Sequence, residues 1–291
     1  MENKVTILVN SCDNYEDAWE PFFKLLKIQW PGIEKKHKLV LNTETKVYDC
    51  SFLPVKTVCT GNCAWSLRLK KALESIDTEL VLFMLEDFFL MSAVDEKRFE
   101  NALKILETDK SIGAINFDPD YKKVRTAELI KRYYNKEFAY LQVMNAQCCL
   151  WRKSFLLNLI NKSESAWEFE DKGNLRVKYY KERILFRDVY SSPVFDYHAY
   201  LTFGYGISRR AWLPKNKELF EKYGIEVDFD KLGWYQKPDI QKRIKRTKKQ
   251  LMVLAFKHPA ELAKIIITKI KNSIAFQKFS AFIFATKHFY R

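Results

Sequence analysis

The chain has 291 residues, 47% of them apolar and 15% aromatic, which excludes a disordered chain and allows one to two domains around a large core. Its formal net charge of +14 is uneven: residues 237–291 hold 14 Lys/Arg against Asp239 and Glu261, which leaves 36 basic and 34 acidic groups for the rest. A near-neutral body argues against a nucleic-acid binder, whose fold would carry a basic face, and no run reaches the ~18 uncharged apolar residues of a spanning helix.

The first residues, MENKVTILVN, read as a buried β-branched strand over 4–10 and carry no basic-then-apolar leader pattern. Trp19, Phe22, Phe23, Leu26 and Trp30 recur at helical spacing from Tyr15 until Pro31-Gly32 stops them. KLVLN (38–42) predicts a second strand and Ala64 to Ile76 an amphipathic helix; ELVLFML (79–85) predicts a third strand. Ser92-x-x-Asp95 reads as a capping box opening a helix to about Glu107, and IGAINF (112–117) as a fourth strand. Beyond Asp118 the pattern loosens, with a strand expected over 138–144, helices over 151–160 and from 164, and a mixed aromatic segment over 183–213. Strands alternating with helices of this length imply an α/β fold with a mixed, mostly parallel sheet flanked by helices. The six cysteines complete no zinc pattern and are expected to be reduced thiols of a cytosolic protein.

Within VLFMLEDFFLM, Glu86 and Asp87 interrupt an apolar run. Two carboxylates among Phe and Leu cost several kcal/mol unless a partner compensates them. An ion pair within the fold is one such partner. A ligand is the other, because the pair ends a strand, where open α/β sheets bind their ligands. Carboxylates repel phosphates, but they hold a hard divalent cation that bridges to a diphosphate, or accept hydrogen bonds from ribose hydroxyls. The sequence has no P-loop, and Gly204-x-Gly206 lacks the rest of a dinucleotide fingerprint.

The order VTILVNSCDNYED followed by NCAWSLRLKKALESIDTELVLFMLED resembles the nucleotide-sugar half of GT-A-fold glycosyltransferases, closest to family-2-like enzymes of bacterial cell-surface polysaccharide and lipopolysaccharide synthesis. The likeness covers residues 4–117, and 138–173 more loosely. It implies that Ser11, Asp13 and Tyr15 lie by the base and ribose, Trp65 near the nucleotide, and Glu86 and Asp87 at the diphosphate. Phe88 stands where the family's Glu-Asp-Asp has its last acid, so the implied Mn2+ or Mg2+ would rest on Asp87; Arg68 and Arg209 are cations that could offset the diphosphate charge without it.

SAWEFED sets Glu168, Glu170 and Asp171 beside Trp167 and Phe169. An inverting transfer needs a base for the acceptor hydroxyl, and aromatic walls push a carboxylate toward neutrality. Glu170 is the first candidate, Glu168 the second and Asp171 the third; a solvated first helical turn is the alternative. Trp167 and Gln147 are candidates for the acceptor.

The tail opens with six charges over 242–249 and continues from Pro259 with Leu262, Ile265, Ile266, Ile270 and Ile274 on one helical face. This pattern fits a peripheral helix on an anionic membrane surface. The expectation is a transferase domain over 1–236 (1–118 for the nucleotide sugar, 119–236 for the acceptor) and a membrane-associating tail over 237–291. It would act at the cytoplasmic membrane face on a lipid-linked or oligosaccharide acceptor, without nucleic acid. A nucleotidyltransferase and a non-enzymatic membrane- or RNA-associated adaptor are the competing classes.

Overall fold

The structure, a computed structural model, describes residues 5–118, 132–135, 137–141, 143–187, 192–197, 206–208 and 210–236. The chain divides into two compact units, Met1–Tyr235 and Gln236–Arg291. The helix expected in the tail lies outside the described residues, as do Gly204 and Arg209.

The first unit is built on a nine-stranded sheet of order β3-β2-β1-β4-β8-β5-β9-β7-β6. β1 (Val5–Asn10) lies between β2 (Lys38–Thr43) and β4 (Leu80–Leu85), parallel to both, with Ile7 opposite Leu39 on one side and Leu82 on the other. β3 (Val55–Cys59) extends the parallel set beyond β2. β8 (Cys149–Arg152) inserts antiparallel between β4 and β5 (Ile112–Asn116). β9 (Arg183–Arg187), β7 (Phe138–Tyr140) and β6 (Arg132–Tyr133) finish the sheet. This is the α/β fold with a mixed sheet that the alternation of strands and helices predicts.

Strand alternation sends Val5, Ile7 and Val9 to one face and Leu8 to the other, so each face requires its own cover. On the first face lie α1 (Glu16–Gln29), through Trp19, Phe22, Phe23 and Leu26, and α4 (Glu96–Thr108), through Phe99, Ala102 and Leu106; the single-turn α2 (Ile33–Lys36) precedes β2. On the second lie α3 (Trp65–Glu74), α5 (Lys153–Leu159) and α6 (Ala166–Arg176).

Three details differ from expectation. The cap of α4 is Asp95, whose side chain accepts from the Arg98 backbone N–H at 3.1 Å, while the Ser92 hydroxyl bonds the Asp196 carboxylate instead. The run expected as a helix from Trp151 gives its first two residues to β8, because Val81 and Ala114 pair with Trp151 from either side. The strand expected over 138–144 closes at Tyr140.

Candidate active site

β1 is the point at which the sheet is wound both ways: the chain leaves it through α1 to β2 on one side, and β4 arrives through α3 on the other. The crevice outside the carboxyl ends of two such strands is where open α/β sheets take ligands. The residues that follow β1 (Ser11 to Tyr15) and β4 (Glu86, Asp87) meet there.

The pair is buried, with Glu86 6% and Asp87 8% exposed. Burial raises the Asp87 carboxyl to about 7, although the Asp87 and Ile207 backbone N–H groups stabilise its charge. Burial, then the neighbouring Asp87, raises Glu86 well above the usual carboxylate range; the Ser11 hydroxyl and Arg68 pull the other way. Arg68, on α3, is itself 5% exposed and donates from Nη1 to the Ser11 carbonyl at 2.7 Å. The charge of Arg68 therefore offsets part of the cost for Glu86, and it does not bring the pair back to ordinary acidity.

The same two charges act on their neighbours. Burial, then Glu86, raises the Cys12 thiol to about 11; burial, then Glu86 and Asp87, raises the Tyr15 phenol to about 12, with Arg210 opposing. Tyr15 thus lies within electrostatic reach of both carboxylates. Ser11 receives the Trp19 indole N–H at 2.7 Å, and its backbone N–H donates to the Asn42 carbonyl at 3.0 Å.

Asp13 is placed differently. Its carboxylate accepts from the Glu44 and Thr45 N–H groups, each at 3.0 Å, and from the Thr45 hydroxyl at 2.6 Å. Burial alone would raise its pKa; these bonds outweigh it and hold the group below the usual carboxylate range. Asp13 pins the turn after β2 beside the crevice. Trp65 is half-buried, its ring 5.3 Å from Phe169 and 6.3 Å from Phe83, so it wedges α3 against α6 at the rim.

Phe88 is fully buried and stacks on Tyr197 with ring centroids 4.4 Å apart. Position 88 therefore lies in an aromatic core. Among the described residues no three His, Cys, Asp or Glu side chains come together as a cation site. Two adjacent carboxylates do suit an ion such as Mg2+ that keeps waters and takes substrate phosphates as its other ligands. Phe88→Asp, which rebuilds the three-acid run, is expected to lower unfolding free energy in urea by more than about 3 kcal/mol, since it removes a core ring and buries a charge. Wild-type stability in that variant would show that position 88 does not need its ring.

Because β8 runs antiparallel to β4, the residues leading into it reach the same edge of the sheet. Segment 144–147 is held there by α6: Met144 N–H donates to Asn174 at 2.6 Å, and Ala146 N–H to Glu170 Oε1 at 2.6 Å. Glu170, on α6, therefore stands beside the segment that leads into β8. Glu168 does not take part; it closes the capping box of α6 with Ser165 and pairs with Lys172 at 2.9 Å. The Ser165 backbone N–H, then Lys172, hold its carboxyl down to about 2, too acidic to take a proton near neutrality. Trp167 is 78% exposed, open to a flat ligand, while Gln147 has its Oε1 buried without a partner.

Sequence reasoning overlooked the asparagines of this edge. Asn10 and Asn116 end apolar strands and Asn42 is the last residue but one of β2; Asn42 Nδ2 donates to Asn10 Oδ1 at 2.7 Å, leaving Asn10 Nδ2 buried and unpaired. Asn145, bonded to Asn116, likewise keeps Nδ2 buried and unpaired. The signal was legible: TILVN, LVLN and GAIN are buried runs closed by the same amide.

No family model matches the chain, and no curated protein matches its sequence. Among solved structures, the mannosyltransferase PcManGT from Pyrobaculum calidifontis, in complex with GDP-Man and Mn2+, is 12% identical with a TM-score of 0.45, over 96% of this chain and 83% of that one. TarS 1-349 of S. aureus in complex with UDP-GlcNAc is 15% identical with a TM-score of 0.39, over 63% of this chain and 55% of that one. A cytidylyltransferase from Leptospira borgpetersenii is 13% identical with a TM-score of 0.40, over 63% and 74%. This chain spans little more than half of the TarS fragment. Sugar transfer and nucleotidyl transfer are both represented among these similar structures.

Proposed function

We propose that the protein is a nucleotide-sugar-dependent glycosyltransferase. The observation that carries this reading is the buried pair Glu86-Asp87 at the switch point of the sheet, held at a raised pKa where a ligand would meet it. A nucleoside diphosphate-sugar would lie with its base and ribose against Ser11, Tyr15 and the 44–46 turn, which Asp13 orders. A divalent cation, Mn2+ or Mg2+, would sit on Asp87 and supply positive charge to the diphosphate.

The acceptor would enter over Trp167 and Gln147. Its hydroxyl oxygen attacks the anomeric carbon from the face opposite the leaving group, and Glu170 takes the hydroxyl proton. The bond from that carbon to the β-phosphate oxygen breaks, and its electron pair leaves with the nucleoside diphosphate. Inversion follows from a single displacement.

The basic tail supports a place on an anionic membrane, where a lipid-linked glycan would be extended at the cytoplasmic face during cell-surface polysaccharide or lipopolysaccharide synthesis. Among the described residues no helix is long and apolar enough to cross a membrane.

Calorimetric titration of the full chain with UDP and GDP, each with Mn2+, Mg2+ or EDTA, tests the reading. Micromolar binding of one diphosphate supports it. Pyrophosphate release from a nucleoside triphosphate and a sugar phosphate would replace it with nucleotidyl transfer. Failure to bind any nucleotide would leave the adaptor class.

A further inference from the structure

The carboxylate pair has a second neighbour that the sequence did not single out. After Gly206 the chain makes a small antiparallel hairpin, β10 (Ile207–Ser208) and β11 (Ala211–Trp212), with Ile207 opposite Trp212 and Ser208 opposite Ala211. Its base is bonded to the segment after β4 that carries the pair. Gly206 N–H donates to the Asp87 carbonyl at 2.9 Å, and the Ile207 N–H serves the Asp87 carboxylate. The approach is so close that a Cβ at Gly206 would lie 2.0 Å from the Phe89 ring. Trp212, fully buried, stacks on Phe89 and donates its backbone N–H to the Gly233 carbonyl at 2.8 Å. α7 (Lys215–Lys222) follows, and Asn216 at its start donates to the Gly206 carbonyl.

Between β10 and β11 stands Arg210. It is exposed and has φ of 62°, the one non-glycine residue with positive φ among those described. The left-handed region costs a side-chain-bearing residue on the order of 1 kcal/mol, and such strain gathers at functional sites. Glycine or asparagine would fill the position at lower cost, so the arginine needs a reason. Its guanidinium stands within electrostatic range of Tyr15, which is itself beside Glu86 and Asp87.

The charge balance of the crevice supplies the reason. Arg68 is buried and already engaged with the Ser11 carbonyl, with Glu44 3.9 Å away, and its charge acts on Glu86. A diphosphate entering beside two carboxylates, with Phe88 in place of a third metal ligand, needs further cationic help. An arginine fork is the side chain best matched to phosphate oxygens.

We infer that Arg210, fixed by the hairpin at Asp87, binds the diphosphate of the nucleotide donor and neutralises the charge that the leaving nucleoside diphosphate acquires. The assignment rests on the glycosyltransferase reading and adds to it a residue and a role.

The test uses the full chain as wild type, Arg210→Gly and Arg210→Lys, with UDP, GDP, UMP and GMP as calorimetric ligands. Glycine accepts the positive φ, so Arg210→Gly is expected to melt at or above the wild-type temperature. Its affinity for the preferred diphosphate should fall about tenfold or more, while affinity for the matching monophosphate falls less than about threefold; the lysine variant should lie between. Unchanged diphosphate binding in Arg210→Gly overturns the assignment and leaves the enzyme reading standing, and so does an equal loss for both nucleotides. A wild type that binds no nucleotide overturns both.

Discussion

Asp87→Asn is expected to make the protein more stable at pH 8 and to abolish nucleotide binding in the same molecule. In the folded chain burial holds the Asp87 carboxyl at about 7, whereas the unfolded chain releases that proton near the ordinary value of 3.8. Between these two values the native state therefore binds more protons than the unfolded one, so stability falls as pH rises through that window and levels off above it. Roughly three units correspond to about 4 kcal/mol of stability lost by pH 8. Glu86 is shifted in the same direction, again by burial first and then by its neighbour. The amide keeps the shape and the acceptor for Ile207 N–H while removing the charge. At about 2–4 °C per kcal/mol for a domain of this size, the melting temperature should rise by roughly 8–16 °C at pH 8 and differ little at pH 4. Differential scanning calorimetry across pH 4–9 reads it. A wild-type profile that rises toward pH 8, with the amide variant less stable there, would mean that the fold already compensates the charge, and the ligand argument would lose its basis.

That trade of stability for charge is what the sequence shows most plainly. A carboxylate pair inside VLFML-FFLM breaks the pattern around it, and sites that break local rules are where function is expected. Strands β1, β2, β4 and β5 and helices α1, α3 and α4 were legible for the opposite reason: each has one period, one buried face and a clear stop. β8 was not, because CCLWRKSFLLNLI is apolar throughout, and only the two strands on its flanks decide that Cys149–Arg152 pair while Lys153–Leu159 coil. β3 and β9 escaped notice for a related reason. Each alternates too weakly to declare a face, and β3 at the sheet edge is only half-buried.

The site divides along the same line. Glu86, Asp87, Ser11 and Tyr15 follow strands whose ends the sequence locates, so their convergence could be anticipated. Arg210 could not, since nothing local distinguishes its turn; its meaning comes from the bond between Gly206 and Asp87 across more than a hundred residues. Glu168 and Glu170 could not be ranked by composition either. Two residues apart on α6, they face different partners: Glu168 turns back to cap the helix, and Glu170 reaches the strand edge.

That divergence predicts opposite phenotypes for the two glutamates. Glu170→Gln retains an oxygen for the Ala146 N–H, so the segment 144–147 should keep its place and the fold its melting temperature. It cannot accept a proton. With an acceptor glycan supplied, kcat should fall by about 10²–10⁴, the range for losing a general base, while nucleotide affinity stays within about twofold. Glu168→Ala should do the reverse: it opens the capping box and lowers the melting temperature, leaving kcat near wild type. The pH–rate profile separates chemistry from scaffolding, because the acid limb of the wild type should vanish in Glu170→Gln and persist in Glu168→Ala. A Glu170→Gln enzyme with full kcat and an intact acid limb would remove this residue from the chemistry and move the search for the base to the neighbouring edge of the sheet, where Asp118 stands buried two residues beyond β5.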